Sequence, residues 1–163
     1  MLERKYHIEI SLGQQLLYLK LDEETVAEYA VSTSGNGAGE KLNSECTPCG
    51  WHVIAEKIGD NSPSDTVFVG RKSTGEIYST DLRKLYPARD WILTRILRLS
   101  GIEDGVNKGG DVDTFARMIY IHGAPDDVEM GVPGSHGCIR MRNQDIINLF
   151  DTVQTGTEVF IYN

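Results

Sequence analysis

Nearly every apolar run in this chain is short, alternates with polar residues, and stops at a turn-forming residue. Tyr6, Ile8 and Ile10 alternate with His7, Glu9 and Ser11, the period-two pattern of a strand with one face buried. A Gly13-Gln14 turn then leads into Leu16-Leu17-Tyr18-Leu19, which predicts an opening hairpin. Thr25 to Thr33, Trp51 to Glu56, Asp65 to Val69 and Val159 to Tyr162 read as further strands. One segment has a clear helical period. Asn143 is a good N-cap, Ile146, Ile147, Leu149 and Phe150 make an apolar stripe, and Gly156 closes the turn beyond it. Many short strands with one clear helix predict a mainly β fold, a β-sandwich or barrel-like sheet. The 163 residues suffice for a single domain with one core, and neither an internal repeat nor a low-complexity linker interrupts them.

Three stretches are less plain. Trp91 to Leu99 puts Ile92, Ile96 and Leu99 on one helical face, yet it is short and rich in β-branched residues, so periodicity does not decide between helix and strand. Gly35-Asn36-Gly37-Ala38-Gly39-Glu40 has the spaced glycines of a phosphate loop, but Glu40 stands where the third glycine belongs, and a flexible turn is the better reading. Gly101 to Gly110 is acidic and glycine-rich, a surface loop. Phe115 to Ile121 reads as a strand that delivers His122 to its end.

The chemistry gathers after that strand. His122-Gly123 is followed by Ser135-His136-Gly137-Cys138-Ile139-Arg140, so one cysteine stands among histidines, small residues and an arginine. A thiol is a good nucleophile only as thiolate, and an imidazole can lower its pKa or take its proton. Gly137 lets the backbone bend so that the sulfur is reachable and neighbouring N–H groups can face an oxyanion. His136, Arg140 and Arg142 would surround the thiol with positive potential and favour thiolate. Gly131-Val132-Pro133-Gly134-Ser135 is loop-forming, which keeps Cys138 out of the middle of a packed strand. On spacing alone the alternative stands: an inert buried thiol and a satisfied histidine.

These residues resemble the active-site motif of the L,D-transpeptidase family (the YkuD-type catalytic domain): a His-Gly, a variable loop, then Ser/Thr-His-Gly-Cys, a branched apolar residue and Asn or Arg. Tyr29-Ala30-Val31-Ser32-Thr33 is similar to the family's Val-Ser-Thr strand. Thr47-Pro48-Cys49-Gly50-Trp51-His52-Val53-Ile54 is similar to its Thr-Pro-x-Gly hairpin. The resemblance implies the family's β-rich catalytic fold with a short helix after the cysteine, and a strand at Trp91 to Leu99. It implies Cys138 as nucleophile and His122 as base, the ring oriented by the Gly123 carbonyl. His136 would shape the oxyanion site or hold the loop, although sequence alone leaves it open as the base. N–H groups near Gly137 and Cys138 would face the oxyanion. Arg140 would clamp a substrate carboxylate, with a structural ion pair the equal alternative. Ser135 would bind substrate or serve the turn. Tyr120 and Trp91 would wall the cleft, with core packing the stronger reading for both. The loop between the two histidines is short for the family, which bears on the shape of the entrance.

The implied reaction is on peptidoglycan stem peptides. Cys138 would attack the carbonyl of the third residue of a tetrapeptide stem and expel the terminal D-alanine. An amine would then take the acyl group to give a 3→3 cross-link, or water would take it in an L,D-carboxypeptidase. No metal or cofactor is needed, and carbapenem-type β-lactams should acylate the same cysteine. A non-catalytic stem-peptide-binding module is the alternative from another class.

Composition narrows the field further. The formal charge of −8 argues against nucleic acid and against docking on anionic lipid. No apolar run reaches the ~18 residues of a membrane helix. The first residues, Met1-Leu2-Glu3-Arg4-Lys5, lack a signal peptide's apolar region. The expected place is therefore the periplasm or cell envelope if an export segment was removed, and the cytoplasm otherwise. The three cysteines include Cys46-Thr47-Pro48-Cys49, which with His52 offers a redox pair or three zinc ligands. A structural zinc wants four ligands, so two bystander thiols in a turn are the default. Arg142 reads as surface.

Overall fold

The computed structural model describes residues 3–163. Its strands are β1 (Tyr6–Ser11), β2 (Leu16–Leu21), β3 (Glu24–Ser32), β4 (Gly50–Ile58), β5 (Thr66–Val69), β6 (Lys72–Ile77), β7 (Ile92–Gly101), β8 (Tyr120–Gly123), β9 (Ile139–Met141) and β10 (Glu158–Tyr162). Two helices accompany them, α1 (Thr80–Leu85) and α2 (Asn143–Thr152). The sheet runs β4-β10-β1-β2-β3-β9-β8-β7, and β7 pairs back onto β4. These eight strands therefore close a barrel, the arrangement that leaves no free edge around the ring. The β5–β6 hairpin branches off β7 outside the closed ring. The mainly β expectation holds, with the short α1 as an addition.

Alternation decides which side chains fill the barrel. Ile8, Ile10, Leu17, Leu19, Val31, Ile54, Leu97, Leu99, Ile121, Ile139, Met141, Val159 and Ile161 join one core. Helix α2 contributes Ile146, Leu149 and Phe150 to it, while Ile147 is half-buried. Lys57 reaches across to the helix end, its Nζ donating to the Phe150 and Val153 carbonyls at 2.6 and 2.7 Å. A cation there satisfies carbonyls that the helix itself leaves unpaired.

Two sequence expectations are corrected. Asn143 is the first residue of α2 rather than its cap, because its side chain is buried and turned to other partners. Arg142 holds the cap position without a side-chain bond. The strand before His122 begins only at Tyr120; residues 114–118 form a turn, since Asp113 accepts from Ala116 N and the Asp113 carbonyl from Arg117 N.

Trp91 to Leu99 is a strand from Ile92 onward. It lacks period-two polarity because both its faces are covered, the inner by the barrel core and the outer by the β5–β6 hairpin and Phe115. A bulge interrupts its pairing with β8 between Leu93 and Ile96, and Thr94 sits there with φ +75°.

Candidate active site

The site lies on the outer face of the barrel, where β7, β8 and β9 run side by side under the β5–β6 hairpin. Strands β8 and β9 are parallel, with Ile121 opposite Ile139 and His122 opposite Arg140. Period two then divides the side chains. Ile121, Ile139 and Met141 go into the barrel core. Tyr120, His122, Cys138 and Arg140 go outward together into a cleft of about 290 Å³. The cleft is also lined by Phe68, Gly70 and Arg71 from the β5–β6 hairpin, by Asp90, and by Arg117 and Met118. The loop from 124 to 137 crosses between two strands whose shared register sets the distance from histidine to cysteine.

Cys138 immediately precedes β9, at the end of a tight turn. Gly137 adopts φ +129°, and a Cβ there would stand 3.1 Å from Ile119 Cδ1 and 3.2 Å from the Cys46 carbonyl oxygen. Only glycine fits that backbone and that space. Ser135 Oγ donates to the Cys138 carbonyl at 2.6 Å and accepts from Gly137 N at 3.2 Å, so its hydroxyl serves the turn. Thr47 Oγ1, fully buried, donates to the Gly137 carbonyl at 2.9 Å and accepts from Ser34 N at 3.1 Å. The Thr47-Pro48 turn thus grips the cysteine turn from outside.

His122 is buried, and its Nδ1 donates to the Gly123 carbonyl at 2.6 Å. A carbonyl can only accept, so the proton sits on Nδ1 and Nε2 keeps its lone pair. Burial holds the ring below its ordinary pKa, ahead of the opposing pull of the Gly123 carbonyl and Asp90. The partners of Cys138 Sγ are Tyr120 N, which donates to it at 3.3 Å, and the Met118 carbonyl at 3.6 Å. Burial pushes this thiol up to about 12, and the cations Arg117 and Arg140 offset only part of that. Burial thus opposes the expectation that neighbouring charge favours thiolate, and it disfavours the charged form of His122 as well. Arg142 does not contribute, being exposed beside Asp145 at 4.0 Å.

The other expected residues are spread unevenly. His136 lines the cleft mouth but is 73 % exposed, with Nδ1 3.4 Å from Glu45 Oε2. Arg140 Nη2 donates to Ser32 Oγ at 2.8 Å; no carboxylate forms a close ion pair with it among the described residues, and Asp90 is the carboxylate that acts on it from the cleft. Its guanidinium fits because Gly134 leaves room: a Cβ there would be 2.8 Å from Nη2. The Tyr120 hydroxyl accepts from Arg71 Nη1 at 3.1 Å. Trp91 stays outside the cleft, buried with Val67, Leu93 and Tyr78.

The cysteines of the Cys-x-x-Cys are free and their side chains diverge. Cys46 Sγ lies 3.6 Å from the Asn36 and Ser44 carbonyls, while Cys49 packs against the barrel core. Both nitrogens of His52 are already bonded, to the Gly50 carbonyl and Thr114 Oγ1. The three-ligand zinc reading is not assembled.

Sequence reasoning missed three cleft residues. Asp90 brings the carboxylate that acts on His122, Cys138 and Arg140 together. Arg117 donates to the Gly39 and Cys46 carbonyls at 3.2 and 2.7 Å and ties the 39–46 loop to the site. Arg71 comes from the hairpin tip. None belongs to a local motif; Asp90 offered only its place next to the strand at Trp91.

The family described as the L,D-transpeptidase catalytic domain (YkuD) matches residues 5–161. The probable L,D-transpeptidase YbiS of Escherichia coli (strain K12) is 46% identical over 45 residues, 28% of this chain and 15% of that protein. The putative L,D-transpeptidase YqjB of Bacillus subtilis (strain 168) is 42% identical over 48 residues, 29% of this chain and 27% of that protein. The matched segments are thus a small part of these curated relatives. The crystal structure of L,D-transpeptidase 3 from Mycobacterium tuberculosis, in complex with a faropenem-derived adduct, has the same fold. Its TM-score is 0.59 at 15% identity, covering 98% of this chain and 61% of that one.

Proposed function

This chain belongs to the L,D-transpeptidase catalytic-domain family, and from that premise we propose that it is a cysteine-dependent L,D-transpeptidase acting on the tetrapeptide stems of peptidoglycan. The observation that carries the reading is the shared outward face of β8 and β9. It puts Cys138 in one cleft with a His122 whose Nε2 has no partner among the described residues.

Because burial disfavours the charged form of both groups, the reaction starts from a neutral thiol and a neutral ring. Cys138 S–H turns from the Met118 carbonyl toward Nε2, and the proton passes to the ring as Sγ bonds to the carbonyl carbon of the third stem residue. The carbonyl π electrons move to oxygen. Cys138 N–H has no acceptor among the described residues and is the first donor for that oxyanion, while Gly137 N–H is shared with Ser135 Oγ. Collapse breaks the bond to the terminal D-alanine, whose nitrogen receives the proton from Nε2, leaving a thioester. An amine of a second stem then attacks, returns a proton through His122 and frees the thiol. Arg140 offers its guanidinium to a stem carboxylate.

Incubation with a disaccharide-tetrapeptide, read by mass spectrometry beside Cys138→Ala, tests this. D-alanine release that requires Cys138 supports it, and a cross-linked dimer identifies amine as the acceptor. Tripeptide alone makes the chain an L,D-carboxypeptidase. No product and no acyl adduct would refute catalysis on this substrate and favour a stem-peptide-binding module. Penem- and carbapenem-type β-lactams are expected to acylate the same sulfur.

A further inference from the structure

One buried polar cluster behind the cleft takes no part in the chemistry above. Asn143 is nearly fully buried, and its Nδ2 donates to the Ala124 carbonyl at 2.9 Å, to Asp65 Oδ1 at 3.0 Å and to Asp126 Oδ1 at 3.3 Å. Its Oδ1 accepts from Thr94 Oγ1 at 2.6 Å. Thr94 Oγ1 in turn accepts from Asp65 N at 3.0 Å, which leaves its single proton for Asn143 and so fixes which end of the carboxamide faces which way.

The other side of this cluster is the peptide that orients the histidine. The Gly123 carbonyl, acceptor for His122 Nδ1, belongs to the Gly123–Ala124 peptide. The N–H of that peptide donates to the Met141 carbonyl at 3.1 Å, and the next carbonyl, that of Ala124, is the one Asn143 holds. Two bonds therefore pin successive peptide planes on either side of the Ala124 Cα, the Gly123–Ala124 plane through Met141 and the Ala124–Pro125 plane through Asn143. The approach is close: a Cβ on Gly123 would stand 2.5 Å from Asn143 Oδ1 and 2.6 Å from the Leu93 carbonyl oxygen. Thr94 is kept at φ +75°, an uncommon conformation for a β-branched residue, in the bulge beside the histidine strand.

We propose that Asn143, set by Thr94, is a positioning residue for His122: it packs against Gly123 and holds the peptide that follows the one whose carbonyl keeps the ring proton on Nδ1 and the lone pair of Nε2 aimed into the cleft. This rests on His122 as the base. The charged or titratable groups that face the ring are Asp90, Arg140 and Cys138, all on its cleft side, so none replaces the carbonyl at Nδ1.

The test uses Thr94→Val, Thr94→Ser and Asn143→Ala in the full chain. Three readouts are taken: the ring ¹⁵N shifts of His122, the pH profile of iodoacetamide alkylation at Cys138, and Tm. Thr94→Val keeps shape but loses the hydroxyl. It is expected to give mixed ring tautomers and alkylation slower by about 10- to 100-fold near neutral pH. Asn143→Ala should do the same, and Thr94→Ser should behave as the native chain. A structural role alone would lower Tm and leave tautomer and profile unchanged. That result in folded Thr94→Val overturns the proposal, as does a Thr94→Ser variant as impaired as Thr94→Val. If Asn143→Ala does not fold, the Thr94 pair decides. These readouts need no stem peptide, so a native chain without turnover counts against the transpeptidase reading only.

Discussion

If burial rather than neighbouring charge governs Cys138, the free protein should hold almost no thiolate at neutral pH. An ordinary thiol with the reference value of 9.0 is ionised in about 1 molecule in 10² at pH 7. One pushed up to about 12 is ionised in about 1 in 10⁵. The thousandfold deficit arises because Sγ is enclosed between Tyr120 N, the Met118 carbonyl and the cleft walls, with Asp90 adding a like charge. Arg117 and Arg140 pull the other way. Arg117 already donates to the Gly39 and Cys46 carbonyls and Arg140 to Ser32 Oγ, so neither is aimed at the sulfur alone. The assay is thiolate absorbance near 240 nm from pH 5 to 10, taken as the native chain minus Cys138→Ser so that tyrosinate and the other two thiols cancel. No step should appear in the difference curve over that range. A step below pH 8, or a plateau already present at pH 5, would show a stored thiolate–imidazolium pair and refute the reasoning. The neutral pair also means that the proton is in flight during attack, so acylation by a penem should be slower in D₂O.

Further outcomes follow from single residues. His52 is fully buried and neutral, its pKa held at about 4 against 6.5 when unfolded, chiefly by desolvation. The unfolded chain therefore binds the extra proton first. Stability contributed by this ring is complete above about pH 6.5 and is lost as pH falls toward 4, about 3 kcal/mol in all. His122 adds to the same loss, while Asp65 and Asp145, raised by burial, tilt the curve oppositely. Urea titrations at several pH values should hence be compared between the native chain and His52→Gln, and equal slopes would contradict the assignment. Thr47→Val strands the Gly137 carbonyl and Ser34 N–H, both buried, and should cost about 2–4 kcal/mol in chemical denaturation. Acylation of Cys138 by a penem should slow with it; unchanged stability and rate would show the grip on the turn to be unimportant. Asp90→Asn removes a charge that opposes ionisation of Cys138, so its thiolate should form at lower pH than in the native chain. An unchanged or higher titration would place that carboxylate too far away to matter.

Much of this protein was legible before any coordinates. Short alternating runs such as Tyr6 to Ser11 state their own secondary structure, because one face of each strand meets the core and the other meets water. The turn before Cys138 was legible for a similar reason: Gly137 reports the backbone it must adopt. Where both faces are buried the alternation vanishes, and Trp91 to Leu99 could not be settled by period alone. Asn143 misled because a residue suited to capping was instead taken by Thr94, Asp65 and the Ala124 carbonyl, partners far away in the chain.

What the sequence determined by itself was the strands with one face toward water, such as β1 to β4, the helix after the cysteine, and the tight turn at Gly137-Cys138. These depend on interactions between near neighbours. The closure of β7 onto β4, the parallel register that turns His122 and Cys138 the same way, and the arrival of Asp90, Arg71 and Arg117 in one cleft were decided only by tertiary structure. So was the desolvation that opposes ionisation of the thiol. It depends on how completely residues distant in sequence exclude water from the sulfur, and desolvation has no signature in the order of the residues.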